Sequence, residues 1–428
     1  MDIIIGGGIT GLSYAMYNAQ GEYLIIEKET ELGGYCRTLR RNGFVWDFSG
    51  HFFHFQDAGI KELLMCGLES ENQVVKVEKD TKIKYKDRYV DFPFQKNIHQ
   101  LPQDEFIDCL VDLFDVRETE SHNFKEMLYC KFGKSIAEKF LIPYNEKLYA
   151  CDLNSLDKDA MGRFFPYAEK EEIIKNFRVK DNSSYNGSFV YPKNGAIEYV
   201  NNICRRLDIN KFKTNTSVVS IDPNKKEVVI DTGEVLAYDR LISTVPFPKL
   251  LNLCGLNYNE SVYNWNQVLV FNMGFDKKGP NTTSHWIYYP DKKICFYRVG
   301  FYDNILQQDR TSLYVELGFD KNADIDPDKW LAPVLHDLKE VGCITDDMRL
   351  VDYQSLIMDP AYVHITEQSQ KDVKEKKALL AKYDIYSIGR YGSWTYCSIE
   401  DNIKEAKGLS DTLRLHDGED NQYNCSNL

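Results

Sequence analysis

Apolar Ile3-Ile4-Ile5 runs directly into Gly6-Gly7-Gly8-Ile9-Thr10-Gly11, and apolar positions then recur at helical spacing from Leu12 to Ala19. This predicts a strand, a tight turn and a helix, followed by a second strand over Glu22 to Ile26 that ends on Glu27. After a hairpin-like alternation over Lys82 to Asp91, three-four spacing predicts helices over Asp104 to Phe114 and Asn123 to Phe140. A short helix ending at Arg206 comes next. Alternation of period two then predicts strands over Thr216 to Ile221, Glu227 to Asp231, Leu241 to Pro246, Gln267 to Phe275, Trp286 to Tyr289, Ile294 to Gly300 and Thr311 to Phe319. One helix, Pro327 to Val341, sits among them, and near the end a strand at Ile385 to Ile388 meets Gly389 before a helix over Asp401 to Leu409.

Strand, Gly6-x-Gly8-x-x-Gly11 and helix stand in the order that a dinucleotide site requires. Gly6 allows the tight turn, Gly8 lets the backbone approach a pyrophosphate, and Gly11 lets helix and strand pack closely, with helix N–H groups facing the phosphates. Glu27 stands where an acidic side chain accepts from ribose hydroxyls. At 428 residues the chain exceeds one ordinary core. The element order predicts an α/β protein with a discontinuous Rossmann-like domain over 1–58, 188–255 and 380–415. It is interrupted by a mainly helical domain over 59–187 and an antiparallel β-sheet domain over 256–379, and a polar frayed tail over 416–428 follows.

Composition narrows this picture. The net charge of -13 argues against a general nucleic-acid binder and an anionic membrane surface. No apolar run is long enough for a membrane span and nothing resembling a signal peptide precedes the first strand, so a cytoplasmic location is expected. The 11 cysteines lack CxxC pairs and read as reduced thiols, neither a disulfide framework nor a zinc site. His51 and His54 at i, i+3 have no further ligand cluster around them, so no metal is expected. With 28 Tyr against 5 Trp, the aromatic surplus is amphipathic and suits pockets as well as packing.

Beyond Glu27, Gly33-Gly34-Tyr35-Cys36-Arg37 resembles the GG-x-x-R segment that passes along FAD in flavoproteins of the amine oxidase and mutase kind. The resemblance implies FAD in place of NAD, with Gly34 and Arg37 near the pyrophosphate. Val218 reads either as a backbone contact to the adenine side or as an ordinary strand valine. Further on, Gly389-Arg390-Tyr391-Gly392-Ser393-Trp394-x-Tyr396 is similar to the UDP-galactopyranose mutase family, especially its eukaryotic-type branch. So are Phe92-Pro93-Phe94-Gln95-x-Asn97-Ile98, Pro143-Tyr144-Asn145-x-Lys147, and Trp286-x-Tyr288-x-Pro290 with Phe296-Tyr297-Arg298.

That resemblance implies an FAD-dependent isomerase interconverting a nucleotide-hexopyranose and its furanose, UDP-galactose by default, through an adduct between the sugar and N5 of reduced FAD. It implies a UDP-sugar as partner and NAD(P)H or another reductant. Arg298 would meet the diphosphate, aided by Tyr288, Tyr362 and Tyr396, with His51 beside the flavin and Gly389 and Arg390 at the cofactor. Gln95, Asn145 and Tyr149 would line the substrate cleft. The chain also departs from the family: Val190 occupies the position of a second diphosphate arginine, Tyr149 stands for a tryptophan and Glu400 for an amide. Lys193 is the candidate to replace that arginine. Two alternatives remain: an FAD oxidase or desaturase resembling amine oxidases and protoporphyrinogen oxidases, or a flavin-binding protein without turnover.

Overall fold

A five-stranded parallel sheet carries the glycine-rich turn. Its strands run in the order Ile385–Ser387, Arg240–Ser243, Asp2–Ile5, Tyr23–Ile26 and Phe212–Lys213. The computed structural model describes residues 1–18, 21–68, 70, 72–116, 120–179 and 187–425. Ile3, Ile4, Ile25, Leu241 and Ile242 are wholly buried, as central strands covered on both faces must be. On one side lie helices Ile9–Tyr17 and Ile197–Cys204 with the C-terminal helix. A three-stranded antiparallel sheet, Val218–Asp222, Glu227–Ile230 and Val235–Ala237, contributes to the core on the other. This is the Rossmann-like arrangement expected from the sequence, assembled from three separated stretches.

A second sheet forms the wall opposite the glycine turn. Its path runs through Leu350–Met358, Asn264–Phe275, Ser312–Asp320, Arg298–Phe301, Trp286–Tyr288, Thr81–Tyr85 and Arg88–Asp91, with Val363–His364 pairing beside it. The last two strands are the predicted hairpin, which the sequence grouped with the helical stretch; they extend the sheet of the second insertion. Trp286–Tyr288 pairs with Thr81–Tyr85 in parallel, so the sheet is mixed at that point. Residues 294–297 are not in the strand predicted to begin at Ile294, which starts at Arg298.

Helices Gln103–Asp115 and Phe124–Ile136 pack together, and the second passes through a π turn, Ala137–Leu141, into helix Ile142–Tyr149. The Pro-containing segment therefore continues the helical run, with the π turn immediately before Pro143 marking where the regular bonding pattern changes. The C-terminal helix runs from Ile399 to Cys425, so most of the tail expected to fray is helical; residues 426–428 lie outside the described residues. No helix among the described residues is long and apolar enough to cross a membrane.

Candidate active site

A cavity of about 920 Å³ opens at the C-terminal ends of the parallel strands and extends to the wall of the mixed sheet. Its inner end is built by glycines with different roles. A Cβ on Gly6, whose φ is +105°, would meet Thr244 Oγ1 at 2.2 Å, and one on Gly11 would meet the Gly6 carbonyl oxygen at 2.1 Å. These two are required by the protein's own packing, and Gly11 is accordingly absent from the cavity wall. At Gly8 the nearest atom to such a Cβ is Gly34 Cα at 3.9 Å, so the space there is open to a ligand.

Glu27 is buried beside this loop, its Oε2 accepting from Gly7 N at 2.7 Å and its Oε1 from Glu29 N at 2.9 Å. The carboxylate is thereby aimed, and each oxygen retains acceptor capacity for a ribose hydroxyl. Arg37 donates through Nε to the Gly34 carbonyl at 2.9 Å and stacks 4.5 Å above Phe48. Val218 lines the cavity next to a bulge in its strand. Gly389, at φ +87°, also lines it, but the Gly389 and Arg390 amides are engaged by Glu405 Oε2 and Asn402 Oδ1, both at 2.8 Å. An open glycine cradle, an aimed acidic side chain and a tethered arginine fit a dinucleotide flavin.

At the outer end, Arg298 forms a fork with Glu316: Nε to Oε2 at 2.6 Å and Nη2 to Oε1 at 2.8 Å. Ser49 donates to the same carboxylate. Burial alone would raise the Glu316 carboxyl, but the Arg298 charge and these hydrogen bonds hold it below its ordinary value. His51 lies in the same wall, its Nδ1 3.2 Å from the Ser49 carbonyl. Burial and the nearby Arg390 charge bring its pKa down to about 4, so the ring is neutral at physiological pH.

Tyr288 pairs with Arg298 across the sheet, and its hydroxyl accepts from Trp286 Nε1 at 3.0 Å. Tyr362 and Tyr396 stack with ring centroids 5.8 Å apart, and the Arg390 guanidinium lies 5.2 Å from the first ring and 4.7 Å from the second. Burial pushes the Tyr396 hydroxyl up to about 12 and also raises Tyr288 and Tyr362, which keeps all three as neutral donors. Asn145 anchors Nδ2 on the Leu141 carbonyl at 2.6 Å, and its buried Oδ1 has no partner among the described residues. An orphaned acceptor on a cavity wall is suited to a ligand hydroxyl.

Three predicted residues are placed elsewhere. Gln95 is fully buried behind the wall, with Nε2 donating to the Pro166 carbonyl. Tyr149 supports Tyr362 from beneath, ring to ring at 5.9 Å, and does not reach the cavity. Lys193 is exposed at the turn after its strand, so it cannot replace the missing arginine. Val190, at the position of that arginine, is also off the wall. Glu400 ties two segments together, its Oε2 accepting from the Gln56 and Asp57 amides at 2.8 and 3.1 Å.

Other wall residues escaped the sequence reading. Lys79 lies in the wall, its Nζ 5.1 Å from the Phe92 ring centroid and 5.6 Å from that of Trp286, and burial lowers its pKa to about 8. Glu316 did carry a signal, because a lone carboxylate inside Leu313-Tyr314-Val315-Glu316-Leu317 must find a cation when buried. Among the described residues the one side-chain group with metal-ligand spacing is His336, Asp337 and Glu340, none of which lines the cavity.

Comparisons with known proteins place the fold and the family. Residues 9–351 match the family described as flavin containing amine oxidoreductase. The fold is similar to that of reduced UDP-galactopyranose mutase, with a TM-score of 0.88 and 24% identity over 96% of this chain and 93% of that one. A protein provisionally assigned as a protoporphyrinogen oxidase from Exiguobacterium sp. 255-15 gives a TM-score of 0.75 at 17% identity, covering 97% and 98%. A fatty acid isomerase from P. acnes that produces CLA gives 0.67 at 15% identity, covering 96% and 98%.

Proposed function

Because this chain belongs to the flavin containing amine oxidoreductase family, we propose that it is a flavin-dependent mutase interconverting a nucleoside diphosphate hexopyranose and its furanose, with the UDP-galactose pair as the default substrate. The observation that carries this reading is the largely buried Arg298 in a wall of tyrosine hydroxyls, with Lys79 in the same cavity. A diphosphate calls for such cations and neutral donors, whereas an amine or an apolar substrate does not. The similarity in fold to UDP-galactopyranose mutase supports the same reading.

When bound, reduced FAD supplies the nucleophile for covalent catalysis. Gly8, Glu27 and Arg37 hold the dinucleotide. Arg298 orients the diphosphate through the N–H groups that its fork with Glu316 leaves over, with Glu316 fixing the guanidinium plane. Tyr288, Tyr362 and Tyr396 donate to phosphate oxygens, and Asn145 Oδ1 accepts from a substrate hydroxyl. Neutral His51 donates or accepts one hydrogen bond beside the flavin without adding charge. Lys79, in place of Lys193, provides a further cation beside Arg298 and Arg390.

The test is anaerobic incubation of dithionite-reduced protein with UDP-galactofuranose, followed by separation of the sugar nucleotides. Conversion to the pyranose without net flavin oxidation is the expected result. Absence of conversion, together with peroxide formed from an amine or a porphyrinogen in air, would move the chain to the oxidases.

A further inference from the structure

Lys147 lies in the same helix as Tyr144 and Asn145, but its side chain reaches the loop that joins Trp286–Tyr288 to Arg298–Phe301. Nζ lies within hydrogen-bond distance of four backbone carbonyl oxygens, those of Tyr289, Asp291 and Ile294, each at 2.8 Å, and of Phe296 at 2.5 Å, so its three protons are shared among four acceptors. Four carbonyl oxygens therefore converge on one ammonium, as they would on a bound potassium ion. Next to it, Glu146 pairs with Lys292 of the same loop at 2.7 Å. The loop's own closure uses fewer bonds: the Tyr289 amide donates to Tyr297 at 2.9 Å, the Lys293 amide to Asp291 Oδ1 at 2.9 Å and the Ile294 amide to Asp291 at 3.3 Å. From its other side, the Cys295 amide donates to Asp337 at 2.7 Å.

The consequence lies one residue beyond each end of this loop. Tyr288 and Arg298 are register partners, so the loop's shape sets how both side chains meet the cavity. Tyr144, three residues before Lys147, packs edge to face on Tyr288 at 4.9 Å and on Tyr297 at 6.2 Å, fastening helix and hairpin at a second point. Without the ammonium, the converging carbonyl dipoles would lack their common donor, and those of Tyr289, Ile294 and Phe296 belong to buried residues. The loop would have to open to water.

We propose that Lys147 is a positioning residue whose ammonium acts as a built-in monovalent cation, holding the 289–297 loop in the shape that presents Tyr288 and Arg298 to substrate. The role of those two side chains rests on the mutase reading; the cation-held loop does not. Burial lowers the pKa of Lys147 to about 8, against the opposing influence of Cys295, Asp291 and Asp337, so it remains charged at neutral pH.

The experiment uses FAD-loaded protein and two variants, Lys147→Ala and Lys147→Met, with amide hydrogen exchange over residues 288–298, UDP titration, FAD content and thermal melting as readouts. Lys147→Ala is expected to speed exchange in the loop and weaken UDP binding, each by roughly tenfold or more, while FAD stays bound. Methylammonium or potassium, entering the vacated cage, should restore both, and the bulkier tetramethylammonium should restore neither. Lys147→Met fills the space without charge and should keep both defects whatever is added. Unchanged loop exchange in both variants, or a defect in Lys147→Ala that neither methylammonium nor potassium relieves, would overturn the proposal. If the alanine variant does not fold, Lys147→Arg decides instead: exchange near that of wild type supports the cation, and exchange as fast as in Lys147→Met overturns it. Should wild-type protein fail to bind UDP, the nucleotide-sugar reading falls, and loop exchange alone decides the role of Lys147.

Discussion

Arg298 and Glu316 stand opposite each other on adjacent strands, joined by two hydrogen bonds of 2.6 and 2.8 Å and largely sealed from water. Removing one partner of such a pair leaves the other charge buried. Arg298→Ala is therefore expected to cost about 3–5 kcal/mol of folding stability in a denaturant titration. In the FAD-loaded protein it should also weaken UDP binding by about 1.5–3 kcal/mol. An unchanged UDP affinity would remove Arg298 from the substrate site. The Glu316 carboxyl is held below its ordinary value, so the stability it contributes is present above its unfolded pKa and lost as pH falls through its folded one.

Lys79 should govern the alkaline side of substrate binding. Its pKa of about 8 follows from burial, and an anionic diphosphate favours the ammonium form. UDP affinity of the wild-type protein is therefore expected to decline as pH rises through about 8. Lys79→Met should bind UDP roughly tenfold more weakly at neutral pH, as fits loss of a charge-assisted contact. Lys79→Arg should retain binding at higher pH. Calorimetric titration across this range checks both; a Lys79→Met profile identical to wild type refutes the assignment.

The glycines of the first turn separate folding from cofactor binding. Gly8→Ala meets no protein atom closer than Gly34 Cα, at 3.9 Å, and requires no positive φ. It should yield a folded protein with little bound flavin. Gly6→Ala requires φ +105° and a Cβ 2.2 Å from Thr244 Oγ1, so it should destabilise the apoprotein itself. Flavin absorbance and melting of the apoproteins distinguish the two. Full flavin occupancy in Gly8→Ala would mean that the cradle lies elsewhere.

His364 links stability to acid. It is 2% exposed, its Nε2 lies 3.0 Å from the Tyr149 carbonyl, and burial lowers its pKa to about 4. A folded pKa below the unfolded value of about 6.5 gives stability that is complete above 6.5 and lost as pH falls toward 4. The loss is on the order of 3 kcal/mol when complete. His364→Gln can still donate to that carbonyl and carries no charge in acid. Urea unfolding at neutral pH and near pH 4 should therefore show a smaller acid loss in the variant; an equal loss would place the acid sensitivity in other groups.

The dinucleotide end was legible because its physics is local. A tight turn, a backbone approach and a helix start require glycines at fixed spacing, and apolar runs of this kind become buried parallel strands. Glu27 and Arg37 follow within the same short stretch of chain, and the structure places both on the cavity wall. Resemblance also led to Arg298, Tyr288, Tyr362, Tyr396 and Asn145, which share that wall.

Gln95, Tyr149 and Lys193 had the right chemistry in matching segments, yet side-chain direction depends on what packs behind each segment, and packing is non-local. The same reason hid Lys79, which reaches the wall because its segment adjoins the Phe92 and Trp286 rings. By itself the sequence determined a dinucleotide fold and the residue types available to grip an anion. Only the tertiary structure decided that Glu316 holds Arg298 and that Lys147 gathers the carbonyls of the loop beside it, because strands and helices distant in the chain must first pair before those groups meet.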